Sequence, residues 1–167
     1  MRLYLAGPLF TQAERAWNLR LATVLTEAGH DVFLPQVEIQ TIETPEADAI
    51  FRLDVGGVRA ADALVAVLDG ADADSGTSFE CGLAHALGIP IVAVRTDFRG
   101  GGDDLPGQAL PTINLMLAQA VAGAVHLPGP SVAFEVIAQA VLEVLSCLPS
   151  PVAPLQRLAA PSQGASP

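Results

Sequence analysis

The chain contains no lysine. Its eight basic side chains are all arginine, set against 18 aspartates and glutamates, for a formal charge of −10. A surface of that sign does not neutralise many phosphates, which argues against DNA or RNA polymers as partners. The missing lysine excludes chemistry that needs one: a Walker-type phosphate loop, a Schiff base, or a phospho-acceptor receiver domain. Cysteine is nearly as scarce. Cys81 and Cys147 fall in separate helical segments without metal-type spacing, so they give neither a disulfide framework nor a zinc site and fit a reducing cytoplasm. No apolar run reaches the roughly 18 residues needed to cross a membrane. The opening MRLYLAGPLF turns at Gly7-Pro8 and lacks a small-residue cleavage pattern, so it reads as a first strand and not as a signal peptide.

What is present is a core. At 167 residues with 51 % hydrophobic content, the chain suits one domain and is too short for two of ordinary size. Short β-type runs alternate with helical ones, the pattern of a parallel sheet covered by helices on both faces. RLYLAG is the first strand, with a helix from Thr11 to Ala28 after it, and HDVFLP is the second. A polar stretch holding Pro45 then offers a place for a lid. A helix over 47–60 precedes the third strand, ALVAVLDG, and a further helix runs to Leu87 before the strand PIVAVRT. The three glycines and two prolines of DFRGGGDDLPGQALP make a loop. A short helix over 112–120, the strand GAVHLP and a helix over 131–147 complete the expectation. It is an α/β fold: a single-domain, doubly wound, flavodoxin- or Rossmann-like sheet of five parallel strands. Residues 1–147 form the domain, and 148–167 a poorly ordered tail rich in Pro, Ser and Ala. Such a sheet binds ligands beyond the carboxyl ends of its strands, where the polar segments 7–10, 69–77 and 96–104 collect.

The stretch DSGTSFECG, residues 74–82, raises a choice between capping and chemistry. Thr77 or Ser78 would begin a helix with Glu80 in its first turn, and Thr77 with Glu80 satisfies the capping-box spacing. The same helix dipole would keep the carboxylate ionised and nucleophilic, so capping and catalysis are compatible. Asp54 falls inside the preceding helix, next to Gly56 and Gly57, which weaken that helix and suggest that something approaches its backbone closely. Asp54, Asp74 and Glu80 would converge near the end of the third strand. Several carboxylates with few cations suit glycosyl chemistry, where a retaining displacement needs one carboxylate as nucleophile and a second acid for the leaving group.

At this point the chain resembles the nucleoside 2-deoxyribosyltransferases. LYLAGPLF is similar to that family's first strand and loop, Asp54 and Asp62 match its paired acids, DSGTSFECG its catalytic loop and helix, and INLM a later segment. The resemblance implies that Glu80 attacks C1′ of a deoxyribose and that Tyr4, at the end of the first strand, orients Glu80. Asp54 would exchange a proton with the departing and entering base. Asp74 would bind a sugar hydroxyl or the base edge, Phe10 would wall the base, and Gly7 would border the substrate. Asn114 would reach the 5′-hydroxyl in a neighbouring subunit's site, with Met116 near the base, which implies a homo-oligomer with shared sites. Nucleosides and free nucleobases would be the partners, no cofactor or metal is called for, and salvage in the cytoplasm is the expected setting. On the residues alone, Tyr4 packed against a helix, Phe10 in the core and Asn114 as a helix cap are the ordinary alternatives. His85 falls about 140° round the helix from Glu80 and is read as structural, as are His30 and His126, with Cys81 a small buried residue.

Other readings remain. A 5′-monophosphate N-glycosidase on the same fold would use Thr11 and Arg15 for phosphate, against the acid of GGGDD. A non-catalytic nucleotide sensor and a metal-dependent phosphodiester hydrolase using Asp54, Asp74 and Glu80 are also compatible with the cleft.

Overall fold

The structure is a computed structural model that describes residues 1–99 and 113–149. Five strands, β1 (Arg2–Ala6), β2 (Asp31–Phe33), β3 (Ala63–Val67), β4 (Ile91–Arg95) and β5 (Gly123–His126), pair in parallel in the order β2-β1-β3-β4-β5. The helices are α1 (Gln12–Glu27), α2 (Pro35–Glu38), α3 (Ala47–Ala60), α4 (Ser75–Ala86), α5 (Leu115–Ala120) and α6 (Phe134–Ser146). This is the expected doubly wound, flavodoxin-like sheet. Every residue of β3 and β4 is buried, which is why both read as continuous apolar runs.

The two faces of the sheet differ in side-chain size, and the difference places the site. Leu3, Leu5, Val65, Val67, Val92 and Val94 pack with Leu21, Leu25, Val141 and Leu145 of α1 and α6. The alternate positions Tyr4, Leu64 and Ile91, followed by Ala6, Ala66 and Ala93, pack with α3, α4 and α5. In register, Ala6 lies beside Ala66 and Ala66 beside Ala93. A row of methyl groups therefore spans the carboxyl end of the α3/α4 face, where the other face carries branched side chains. It leaves room there that larger residues would fill.

Several boundaries differ from expectation. β2 stops at Phe33 because Pro35, which cannot donate to a ladder, opens α2 at its first position. The polar stretch expected to form a lid holds α2 and a 3₁₀ turn, Ile39–Thr41. β3 ends at Val67, and the chain leaves the sheet through Gly70, whose φ of 118° favours glycine. The fully buried Arg95 holds that exit by donating to the carbonyl oxygens of Leu68 and Gly70. The GGGDD loop and most of the tail lie outside the described residues.

The close approach suspected at Gly56 and Gly57 comes from the protein itself. A Cβ at Gly57 would sit 2.7, 2.8 and 2.9 Å from three ring carbons of Phe33, whereas one at Gly56 meets nothing within 4 Å. Gly56→Ala is expected to stabilise the fold by roughly 0.5–1 kcal/mol through helix propensity. Gly57→Ala is expected to destabilise it by about 1–2 kcal/mol once overpacking outweighs the same gain. Denaturant midpoints read the opposite signs.

Candidate active site

α4 begins earlier than the sequence suggests. Asp74 is its N-cap, accepting from the Thr77 amide at 2.8 Å and the Thr77 hydroxyl at 3.1 Å. Glu80 therefore stands in the second turn, not the first, and Thr77 with Glu80 is not a capping box. The same T-x-x-E spacing does make one at the start of α1. There Thr11 Oγ1 accepts from the Glu14 amide at 3.2 Å, and Glu14 accepts from the Thr11 amide at 2.7 Å. Two identical spacings thus have different fates, because at α4 an aspartate already holds the cap and leaves Glu80 to turn inward.

Glu80 turns toward Tyr4. The Tyr4 hydroxyl donates to Glu80 Oε1 at 2.6 Å, a short, charge-assisted bond. Tyr4 is fully buried in the middle of β1, not at its end, and its ring stacks on Phe33 at 5.2 Å and 14°. Burial, reinforced by the Glu80 charge, holds the phenol far above its usual range, so it stays a donor. Burial pushes Glu80 up to about 7; the Tyr4 bond opposes that rise, and the charges of Asp54 and Asp74 add to it. The sequence expectation that the helix dipole keeps Glu80 ionised is thus corrected. The dipole fades beyond the first turn, and burial outweighs it. Asp54, half-buried on α3, is also raised by burial.

Because Tyr4 favours the anion, Tyr4→Phe is expected to move Glu80 further up. Any reaction that needs ionised Glu80 would then show its acidic limb displaced to higher pH, with activity at pH 7 lower by about tenfold. A pH–rate profile of the variant checks this.

A cavity of about 270 Å³ opens over these groups, close to the lower end of small-molecule sites at about 300–1,000 Å³. It lies between the loops that follow β1 and β3, adjacent strands whose helices leave on opposite faces, the switch point of such sheets. Of the sequence-derived candidates, Gly7, Phe10, Asp54, Asp74 and Glu80 line it. Phe10, 76 % exposed, is not a core residue. Space at Gly7 is tight, since a Cβ there would come 3.1 Å from Val67 Cβ.

Asn114 and Met116 are not brought to this cavity. They border a separate groove of about 490 Å³ on another side of α4, with the exposed His85. Asn114 caps α5, accepting from the Met116 amide at 2.9 Å. That groove is larger but lacks the carboxylate cluster. Asp62 accepts from the Arg2 amide at 2.8 Å and ties the start of β1. His30 and His126 stand at the start of β2 and the end of β5. Burial and the nearby Glu80 push the Cys81 thiol up to about 12, which leaves it unreactive at neutral pH.

Two residues escaped the sequence reading. Asn18 is buried on the apolar side of α1 with Leu21, Ala22 and Leu25, and its amide donates to the Pro8 carbonyl at 2.9 Å, fixing the first loop. An amide at i, i+3, i+4, i+7 spacing among apolar residues was the available signal. Gln36 of α2 lines the cavity in a segment read as loop. Among the described residues, no group of three His, Cys, Asp or Glu side chains is placed to hold a metal ion. No helix among them is long and apolar enough to cross a membrane.

The family model for nucleoside 2-deoxyribosyltransferase matches residues 3–116, and the chain belongs to that family. Among solved structures, a conserved protein from Enterococcus faecalis V583 is 31 % identical, with 89 % of this chain and 99 % of that one covered at a TM-score of 0.66. The 2-desoxiribosyltransferase from Leishmania mexicana is 25 % identical over 88 % of this chain and 99 % of that one, with a TM-score of 0.63. A CMP N-glycosidase from Clostridium botulinum, 18 % identical over 86 % and 99 % at a TM-score of 0.57, shares the fold. No curated protein matches the chain.

Proposed function

We propose that the protein exchanges the nucleobase of 2′-deoxyribonucleosides, with retention, through an ester between deoxyribose and Glu80. The observation that carries this reading is the Tyr4–Glu80 hydrogen bond beneath a cavity of about 270 Å³ that Glu80 shares with Asp54 and Asp74. Tyr4 engages Oε1, leaving Oε2 to attack C1′. The C1′–N bond breaks, its electron pair goes to the base nitrogen, and the Asp54 carboxyl protonates the base. A second base then attacks C1′ from the face just vacated, gives its proton to Asp54 and releases Glu80, and two inversions amount to retention. Burial raises both carboxyls. Turnover needs the form with Glu80 ionised and the proton on Asp54, and donation from Tyr4 favours the Glu80 anion. Asp74, whose Oδ2 is taken by Thr77, has Oδ1 for a sugar hydroxyl or the base edge. The exposed Phe10 supplies an aromatic wall. No step calls for a cofactor.

Asn114 and Met116, exposed and outside their own chain's cavity, support a homo-oligomer in which each copy completes a neighbour's site. Salvage of nucleosides in the cytoplasm is the setting this reading implies. One observation favours a second reading, hydrolysis of deoxynucleoside 5′-monophosphates. Arg15 is the one cationic side chain lining the cavity among the described residues, and a guanidinium suits phosphate.

Chromatography of deoxyinosine with adenine tests both readings, run with wild type, with Glu80→Ala and without acceptor. Deoxyadenosine formed only by wild type and only with acceptor is the expected result. Hypoxanthine with free deoxyribose, or turnover confined to the monophosphate, would replace transfer by hydrolysis. Exchange that survives Glu80→Ala would overturn the covalent route.

A further inference from the structure

A further cavity, of about 250 Å³, opens at the same end of the sheet as the catalytic one but on the opposite face, where Trp17, Asn18 and Val67 border it. Among the described residues, none lines both cavities. The Asn18 side chain is 3 % exposed, and its Nδ2 donates to the Pro8 carbonyl at 2.9 Å. That bond settles the amide's orientation, because the flipped amide would set two carbonyl oxygens against each other. Nothing among the described residues donates to Oδ1. The unpartnered side-chain atoms sealed from solvent there are His30 Nδ1, Gln36 Oε1 and Arg95 Nε, so Asn18 Oδ1 is open. It lies 3.3 Å from where a Gly7 Cβ would stand, and Val67 Cβ lies 3.1 Å from the same point. The oxygen therefore sits beside Val67, on this cavity and not on the Glu80 side of the sheet.

The other groups around it define a ligand. Arg99 donates to the Asp97 carboxylate through Nε and Nη2, which leaves Nη1 for an acceptor. Trp17, packed at 82° to Phe134 and half-buried, offers its ring to a flat partner. Glu14 and Asp69 also border the cavity, but they are engaged. Glu14 Oε2 accepts from the Phe10 and Thr11 amides, and both oxygens of Asp69 accept from Thr96. Their charges repel an anion, and Arg99 repels a cation. We propose that this cavity is a second ligand site, for a neutral planar heterocycle that brings a ring N–H to Asn18 Oδ1 and a carbonyl oxygen to Arg99. The lactam edge of uracil or hypoxanthine has that chemistry. The site does not depend on the catalytic reading, although the first loop serves both cavities: Pro8 borders this one, and Gly7 and Phe10 the other.

Trp17 is the only tryptophan of the chain, so its fluorescence reads this cavity directly and needs no turnover. The probe is uracil, compared with dimethyluracil methylated on both ring nitrogens, which keeps the carbonyls but has no N–H. Uracil should change the emission saturably, and dimethyluracil should bind about tenfold more weakly, the worth of one hydrogen bond to a buried acceptor. Arg99→Ala should weaken uracil by a similar factor. Ala13→Phe sets a ring into the cavity from an exposed position on α1 that does not border the catalytic one. Folded Ala13→Phe protein, checked by circular dichroism, should give no response. Absence of a saturable response in wild type would overturn the proposal. So would a response that survives Ala13→Phe, which would put the base in the catalytic cavity, and so would equal binding of uracil and dimethyluracil, which would leave Asn18 Oδ1 without a role. Failure of base exchange with the Trp17 response intact would strike the catalytic reading and uphold this site.

Discussion

Replacing Glu80 by glutamine is expected to abolish turnover and, above neutral pH, to make the protein more stable. Glutamine keeps the shape and the acceptor for Tyr4 but cannot form the glycosyl ester, so exchange should fall by about 10⁴-fold or more. The stability effect follows from burial. Glu80 titrates near 7 when folded, against an ordinary value of 4.5. A carboxyl raised in the folded state contributes its stability below the unfolded value and loses it as pH rises through the folded one. Each tenfold change in proton affinity is worth about 1.4 kcal/mol, so the wild type gives up at most about 3 kcal/mol between roughly pH 4.5 and 8. The neutral amide gives up none of it. Subtracting wild type from variant should leave a difference near zero at about pH 4.5 that grows to roughly 6–12 °C in Tm at about pH 8. A difference that does not change with pH would mean that Glu80 is not held out of water.

Asp54→Asn is expected to lower kcat/KM by about 10²–10⁴ with purine deoxyribonucleosides, the usual worth of a positioned general acid. Its pH profile carries more information than its size. Asp54 must hold a proton to release the base, so wild-type activity should fall as pH rises past the pair's upper value, and the variant should lack that limb. The acidic limb should move to lower pH as well, because the Asp54 charge is one cause of the raised Glu80. Bases that leave readily as anions should be affected least. Loss of activity with both limbs unmoved would assign Asp54 to binding and not to proton transfer.

The central strands were legible because β1, beyond Arg2, and all of β3 and β4 are buried and so appear as unbroken apolar runs. Strand ends were not. β2 stops where Pro35 withholds an amide, and β3 leaves the sheet through Gly70, both decided by hydrogen-bond geometry that the residue types only suggest. Glu80 and Asp54 stood out as acids within otherwise packing helices and Asp74 as an acid in the polar loop after the third strand, and the structure sets all three on one cavity. The capping assignment at Thr77 failed because T-x-x-E does not say whether a neighbour has already taken the cap. Gln36 and Asn18 stayed hidden for a related reason. A solvated amide and a buried one look alike until the element packed against them is known.

Tyr4 pairs in register with Phe33 on one side and Leu64 on the other. A slip of β1 by one residue would carry the phenol to the α1/α6 face and set Leu3 or Leu5 beneath Glu80. Helix content and compactness would barely change, so circular dichroism would pass a misthreaded sheet as folded. Turnover would not, since it requires the one threading that delivers a hydroxyl to Glu80. After refolding, recovered activity would therefore count the molecules whose central strands have found their native alignment.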